Sequence, residues 1–149
     1  MRERGYDLLG EQITTLGFPL TGLGSQLQVT QGNIAGLQGI GNDIRFMQFT
    51  APIQPGSSGS PLLLPTGEVV GMVTHTIANT QNMNYAVKYQ LLSALLTSCG
   101  LNVGELTHNI SQTPLSTPQI TKQSKSALWL VGCLSLIHIS EPTRLRRIS

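Results

Sequence analysis

Gly56-Ser57-Ser58-Gly59-Ser60-Pro61 is the stretch that decides how the rest of this chain is interpreted. It lies between two apolar runs of strand length, near residues 44–50 and 61–64. Serine is a poor nucleophile at its ordinary pKa, so a reactive serine has to lie exposed beside a base. Glycines before and after Ser58 let the backbone approach another molecule without a Cβ clash. The pattern therefore predicts a tight loop that presents Ser58 as a nucleophile.

The spacing of the glycines distinguishes two kinds of serine hydrolase. The nucleophile elbow of α/β-hydrolases, Gly-x-Ser-x-Gly, needs a glycine at position 60, where this chain has Ser60. In serine proteases with a Ser-His-Asp triad on a β-barrel fold, N–H groups of the serine and of the glycine two residues earlier bind the attacked carbonyl oxygen. Here those residues are Ser58 and Gly56. A flexible Gly/Ser loop in an unrelated β domain is the alternative, since short motifs of this kind recur by chance.

Composition and periodicity predict a compact β domain. The 149 residues suffice for one domain, only 11% of them are charged, and they include 16 Gly and 8 Pro. Short apolar runs alternate with Gly/Pro/Asn turns, as in a barrel or sandwich. The predicted strands lie near residues 12–16, 27–34, 44–50, 61–64, 69–76 and 83–87. Residues 89–96 have apolar side chains at helical spacing, and Gly100 is a stop signal, so a closing helix is predicted there.

Several segments around the hexapeptide carry a family resemblance. They are Leu-Leu-Gly-Glu-Gln-Ile (8–13), Leu-Gly-Phe-Pro-Leu (16–20), Phe-Met-Gln-Phe-Thr-Ala-Pro-Ile-Gln-Pro-Gly (46–56), Gly-Glu-Val-Val-Gly-Met-Val-Thr (67–74) and Gln-Asn-Met-Asn-Tyr-Ala-Val-Lys (81–88). In this order they resemble the second barrel of trypsin-like serine peptidases of the bacterial high-temperature-requirement branch. The resemblance covers about residues 8–96 and implies an all-β chymotrypsin fold, namely a six-stranded antiparallel barrel with a short C-terminal helix.

The resemblance also implies a set of site residues and a specificity. Ser58 is expected to be the nucleophile, with Gly56 as the second oxyanion donor; the position between them, Ser57, usually carries Asp or Asn in this family. The expected substrate-binding residues are Pro52 near the base of the primary pocket, Val73, and Thr74-His75-Thr76 along the groove wall. No acid occurs between residues 44 and 67, so a small or medium apolar residue is expected before the cut. No cofactor or metal is expected.

The catalytic partners of Ser58 are not where the family places them. His75, His108 and His138 all follow Ser58, whereas the family has its His and Asp in an upstream barrel. We therefore expect the chain to be a fragment of a serine endopeptidase, inactive by itself. A catalytically dead relative that binds peptides is the second hypothesis. His75 is interpreted as a substrate contact or as an ordinary half-buried strand side chain, and not as the base.

The predicted barrel is assigned to residues 1–98. The sequence after it has a different composition and is divided into three segments. Residues 99–126 are rich in Ser, Thr, Gln and Pro and predict a solvated linker. Residues 127–132 follow two lysines and open an apolar run, interpreted as the start of a truncated membrane anchor, as a small strand or as a chance apolar run. Residues 133–149 resemble translated sequencing adapter and are expected to be non-native.

Charge and cysteine content exclude some partners. The whole chain has nine basic and seven acidic residues; without residues 133–149, which hold three Arg and one Glu, it has six of each. The net charge of +2 therefore comes from the tail, and no nucleic-acid partner is expected. Cys99 and Cys133 form no disulfide framework or metal motif. The expected partners are a polypeptide substrate and the missing N-terminal barrel of the parent. Localisation is not fixed by these residues; the resemblance favours the bacterial envelope or secretion.

Overall fold

Six antiparallel strands close into a barrel, as predicted. The computed structural model describes residues 8–19, 26–76, 83–104 and 113–129, except for the side chains of residues 75 and 76. Around the barrel the strands follow the order β1-β2-β3-β6-β5-β4, and β4 pairs with β1 to close it. The strands are β1 (Gln12–Gly17), β2 (Gln28–Gly36), β3 (Phe46–Phe49), β4 (Pro61–Leu63), β5 (Val69–Thr76) and β6 (Asn84–Lys88).

Strands β1 and β4 are buried on both faces, whereas strands of antiparallel sheets commonly have one face in solvent. Ile13 and Leu62 point into the barrel core together with Phe49. Leu16 and Leu63 point the other way and form a second apolar cluster outside the barrel. Because alternate side chains of a strand face opposite sides, β1 and β4 need a covering element on their outer surface.

Helix α2 (Thr117–Ser124) supplies that cover. Ile120 is only 2% exposed and packs in the cluster of Leu16 and Leu63, and the N–H of Leu115 donates to the carbonyl of Pro65 at 2.7 Å. The structure differs here from the solvated linker expected over residues 99–126. Ile120 is the one apolar residue of this helix, and the Ser/Thr/Pro-rich composition around it concealed its packing against the barrel, together with Leu115 before the helix and Leu128 after it.

Helix α1 (Tyr89–Ser98) continues directly from β6 and confirms the predicted closing helix, which extends two residues further than expected. Gly100 follows it with φ +81°, and the N–H of Leu101 donates to the carbonyl of Leu96 at 3.0 Å. A left-handed glycine with this bond pattern is a usual helix stop.

Within the described ranges, no helix is long and apolar enough to cross a membrane. Of the apolar run predicted over residues 127–132, the structure describes only the first three: Ala127 ends a short 3-10 turn, Lys125–Ala127, and Leu128 and Trp129 follow it. Residues 130–132 and the predicted tail over 133–149 lie outside the described residues.

Candidate active site

The loop between β3 and β4 begins with a turn that its sequence dictates. The N–H of Ser57 donates to the carbonyl of Gln54 at 3.0 Å. Pro55 is the second residue of this turn and Gly56 the third, with φ +94°. Proline followed by a positive-φ glycine is the preferred pair for a type II turn. Residues 54–60 are called the serine loop below.

A second turn of the same kind follows at once and carries Ser58. The N–H of Ser60 donates to the carbonyl of Ser57 at 3.1 Å, and Gly59, the third residue, has φ +90°. Ser58 is thus the second residue of the turn, and it is exposed. The two glycines of the motif are the positions where a side chain would be strained, and the predicted surface turn at Ser58 is present.

Strand β5 holds the serine loop in place from one side. The N–H of Gly59 donates to the carbonyl of Val73 at 2.8 Å, and the N–H of Val73 donates to the carbonyl of Ser60 at 2.8 Å. On the other side Gly17, at the end of β1, leaves room for Ser60: a Cβ at position 17 would lie 2.2 Å from Ser60 Oγ. The loop is therefore fixed between two strands of the barrel wall.

The hydrogen bonding of the loop leaves two backbone donors unused. The N–H groups of Ser57, Gly59 and Ser60 each donate a hydrogen bond. Those of Gly56 and Ser58 donate to no partner among the described residues, and both residues are exposed. These two N–H groups, unpaired among the described residues, are on the serine and on the residue two positions before it, and serine proteases use N–H groups at this spacing to bind an oxyanion.

Ser58 Oγ donates a hydrogen bond to the carbonyl of Thr74 at 2.6 Å. Thr74 lies where the register of β5 against β6 shifts, between Val73 and His75, and its own hydroxyl donates to the carbonyl of Tyr85 at 3.1 Å. A β-bulge of this kind re-aims backbone groups and is common beside active sites. A carbonyl oxygen is not a base, so the contact orients the serine hydroxyl without activating it.

The other predicted site residues fall into two groups. Val73 and Thr74 contact the serine loop through the hydrogen bonds above; His75 and Thr76 also lie on β5, and their side chains lie outside the described part. Pro52 is exposed and lines a small cavity of about 60 Å³ together with Ser57 and Ser60 of the serine loop but not with Ser58. The structure therefore brings Val73 and Thr74, but not Pro52, next to Ser58.

The cavity beside Ser58 contains residues that the sequence did not single out. It has a volume of about 250 Å³ and is lined, besides the serine loop, by Leu16 of β1, by Phe18 just after that strand, and by Leu128 and Trp129 of the C-terminal segment. Trp129 is 82% exposed. No local motif marks Leu128 and Trp129, because only the folding of residues 113–129 across the barrel brings them to the serine loop.

In the described part of the chain, the residues with shifted pKa values are Asp43, Arg45 and Lys88, none of which belongs to the serine loop. Arg45 and Asp43 form an exposed ion pair with an N–O distance of 2.6 Å. The hydrogen bond from the Arg45 side chain lowers the pKa of Asp43 to about 2. Asp43 also accepts the N–H of Arg45 in the turn before β3. Burial lowers the pKa of Lys88, the last residue of β6.

The described residues contain no cluster of three or more His, Cys, Asp or Glu side chains that could hold a metal ion. Cys99 is a free, exposed thiol.

Comparison with protein families and curated proteins agrees with this geometry. The family model of the trypsin-like peptidase domain matches residues 2–72. An uncharacterized protein, y4bJ of Sinorhizobium fredii, is 37% identical over 138 residues, which cover 84% of this chain and 21% of that protein. The putative serine protease HhoB of Synechocystis is 32% identical over 128 residues, which cover 79% of this chain and 30% of the relative.

Solved structures give the same family. The serine endoprotease of Yersinia pestis is similar with a TM-score of 0.51 and 29% identity, over 60% of this chain and 30% of that one. The HtrA-type protease AlgW, solved with a decapeptide, is similar with a TM-score of 0.53 and 26% identity, over 64% of this chain and 31% of that one. The chain thus spans between a fifth and a third of the length of these relatives. Taken with the closed barrel and the serine loop, these similarities identify the chain as a member of the trypsin-like serine peptidases, in their HtrA branch.

Proposed function

We propose that this chain carries the nucleophile and the oxyanion hole of a serine endopeptidase, and that the intact parent hydrolyses peptide bonds through an acyl-enzyme. The observation that supports this most is the serine loop itself. It exposes Ser58 on a rigid turn and leaves the N–H groups of Ser58 and Gly56 unpaired among the described residues. Preorganised donors of this kind are usually the largest single contribution to acyl-transfer catalysis.

In the proposed reaction Ser58 Oγ attacks the carbonyl carbon of the scissile peptide bond, and the carbonyl oxygen receives hydrogen bonds from Gly56 and Ser58. A base has to take the proton of the hydroxyl as the new bond forms. In the structure that proton is donated to the carbonyl of Thr74. Rotation of the hydroxyl toward a base would release the Thr74 carbonyl, which could then accept an N–H from the bound peptide.

We further propose that the base and its orienting acid belong to an upstream barrel of the parent, and that the 149 residues alone are inactive. The share of the relatives that the chain covers supports this, because it leaves room for a second barrel. On the same proposal, residues 1–98 are the nucleophile-bearing barrel and residues 133–149 are not native. The parent prefers a small or medium apolar residue before the cut, since the segment from 44 to 67 offers no carboxylate for a basic side chain.

The test is hydrolysis of an unfolded, fluorescently quenched polypeptide by the parent, its Ser58→Ala variant and the 149-residue chain. We expect the parent to cleave it and Ser58→Ala to lose activity by about 10⁴-fold or more, because the triad acts as a unit. Ser98→Ala, which replaces an exposed serine of helix α1, is the matched control and should retain full activity.

Cleavage by the 149-residue chain at the rate of the parent would refute the claim that its base is missing. A well-folded parent that binds the polypeptide but does not cleave it would favour the second hypothesis, a catalytically dead peptide-binding module. That module has some support in the structure, because Ser58 Oγ donates to a carbonyl rather than to a base.

A further inference from the structure

The segment of residues 113–129, called the docked segment below, is fixed to the barrel by both polar and apolar contacts. The N–H of Leu115 donates to the carbonyl of Pro65 at 2.7 Å, and the side chain of Gln31 in β2 donates to the hydroxyl of Thr117. Gln119 Oε1 accepts the N–H of Ser116 at 2.8 Å, which caps helix α2. Its path over the barrel is therefore determined by specific partners.

This path ends at the serine loop. Leu128 is half-buried against the outer cluster of Leu16 and Ile120. The next residue, Trp129, leaves 82% of its surface exposed while lining the same cavity as Ser58. An indole ring offers a large apolar surface at a low cost in conformational entropy, so aromatic side chains are enriched where proteins bind partners. The exposed ring beside Ser58 therefore offers an apolar surface to a molecule that binds there.

The lining of the cavity has an apolar part and a polar part. Leu16, Phe18, Leu128 and Trp129 supply the apolar part of its lining, and Gly56 and Ser58, whose N–H groups have no partner among the described residues, belong to the polar part. Its volume of about 250 Å³ is below the range of a pocket for a whole small ligand, roughly 300–1,000 Å³. A cavity of this size suits a single large apolar side chain.

The position of the cavity selects one side of the scissile bond. Of the residues expected to bind the peptide before the cut, those whose side chains the structure describes, Pro52, Val73 and Thr74, do not line it. On the basis of the peptidase function proposed above, we propose that Trp129 and Leu128 form a subsite for an apolar side chain on the leaving-group side of the scissile bond. The docked segment thereby becomes part of the substrate-binding machinery, with Trp129 as its specificity-determining residue.

Trp129 is the only tryptophan of the 149 residues, so its fluorescence reports on this subsite alone. The first experiment titrates the full 149-residue chain with leucyl-alanyl-alaninamide, which mimics a leaving-group product, and with glycyl-alanyl-alaninamide. We expect a saturable blue shift of the emission and about tenfold tighter binding of the leucyl peptide, since even one methylene group in a hydrophobic pocket discriminates by about 10–200-fold. Equal affinity for the two peptides, or no spectral change, would overturn the proposal.

Calorimetric titration of Trp129→Ala removes the dependence on fluorescence. The variant should bind the two peptides with affinities equal within about twofold, whereas Leu95→Ala should keep the tenfold preference. Leu95 is an apolar residue of helix α1, 61% exposed, and controls for nonspecific binding to apolar surface. Circular dichroism checks that both variants are folded. A preference that survives in Trp129→Ala would refute the assignment of the subsite.

A second experiment separates this proposal from the peptidase function on which it rests. In the parent, leucinamide or glycinamide is added to the acyl-enzyme, and the product of transfer is compared with the product of hydrolysis. The amine nitrogen attacks the ester carbonyl, the bond to Ser58 Oγ breaks as the amide bond forms, and Oγ takes up the proton that the amine loses. We expect leucinamide to be preferred about tenfold in the parent and not in its Trp129→Ala variant.

If an acyl-enzyme forms but Trp129→Ala leaves the preference unchanged, the subsite is refuted and the peptidase function stands. If no acyl-enzyme forms while the leucyl peptide still shifts the Trp129 emission, the peptidase function is refuted, and the cavity belongs to a peptide-binding module.

Discussion

Replacing Ile120 by alanine tests whether helix α2 is a structural part of the barrel. Ile120 is 2% exposed and packs against Leu16 and Leu63, so truncation removes three carbon atoms from a filled cluster. Isoleucine-to-alanine changes at such sites cost about 2–5 kcal/mol. Because α2 covers one side of the barrel and lies near the end of the described chain, we expect the lower part of this range, about 2–3 kcal/mol.

The assay is urea unfolding followed by circular dichroism, with the midpoint and the slope fitted separately. Ile44→Ala is the matched control, because Ile44 is the same residue type, 70% exposed in a turn, and should change stability by less than about 0.5 kcal/mol. A loss at Ile120 no larger than that of the control would show that α2 does not pack on β1 and β4. It would also remove the support for placing Trp129 beside Ser58.

Three further predictions concern single sites in the barrel. Gly32→Ala should destabilise the protein by about 1–3 kcal/mol in urea unfolding, since its Cβ would lie 2.2 Å from the backbone N of Ala51; an unchanged midpoint would contradict this close approach. Thr15→Val should be neutral or stabilising by up to about 1 kcal/mol, because the buried Thr15 Oγ1 has no hydrogen-bond partner among the described residues; a loss of more than that would indicate a partner. The Asp43 carboxyl should titrate near pH 2 by NMR, and Arg45→Ala should return its pKa toward 3.8. Since the pKa of Asp43 is lower in the folded state than in the unfolded state, any stability from this pair is present above pH 4 and is lost as the pH falls to about 2. An Asp43 pKa that stays near 2 in Arg45→Ala would refute Arg45 as the cause.

The serine loop could be predicted from sequence because its determinants are local. Pro55 before Gly56, and Gly59 two residues after Ser57, specify two turns through the φ angles that proline and glycine adopt. The strands could also be predicted from sequence, since apolar runs and turn residues mark their ends within a few positions.

The parts that sequence reasoning missed depend on tertiary packing. The bulge at Thr74 arises from the register between β5 and β6, which is not encoded in the residues of β5 alone. Ile120 is one apolar residue in a polar segment, and it becomes informative only when the exposed outer faces of β1 and β4 are known. The same holds for Trp129, whose place beside Ser58 follows from the path of the docked segment.

The measurement that tests the central claim most directly is the site of labelling by a serine-directed fluorophosphonate in the parent, determined by peptide mapping and mass spectrometry. The central claim is that Ser58 is an activated nucleophile whose base lies outside these 149 residues. It predicts rapid, stoichiometric labelling on Ser58 in the parent, no labelling in Ser58→Ala, and slow or no labelling of the 149-residue chain. Rapid labelling of Ser58 in the 149-residue chain, or a folded parent that is labelled elsewhere or not at all, would contradict it.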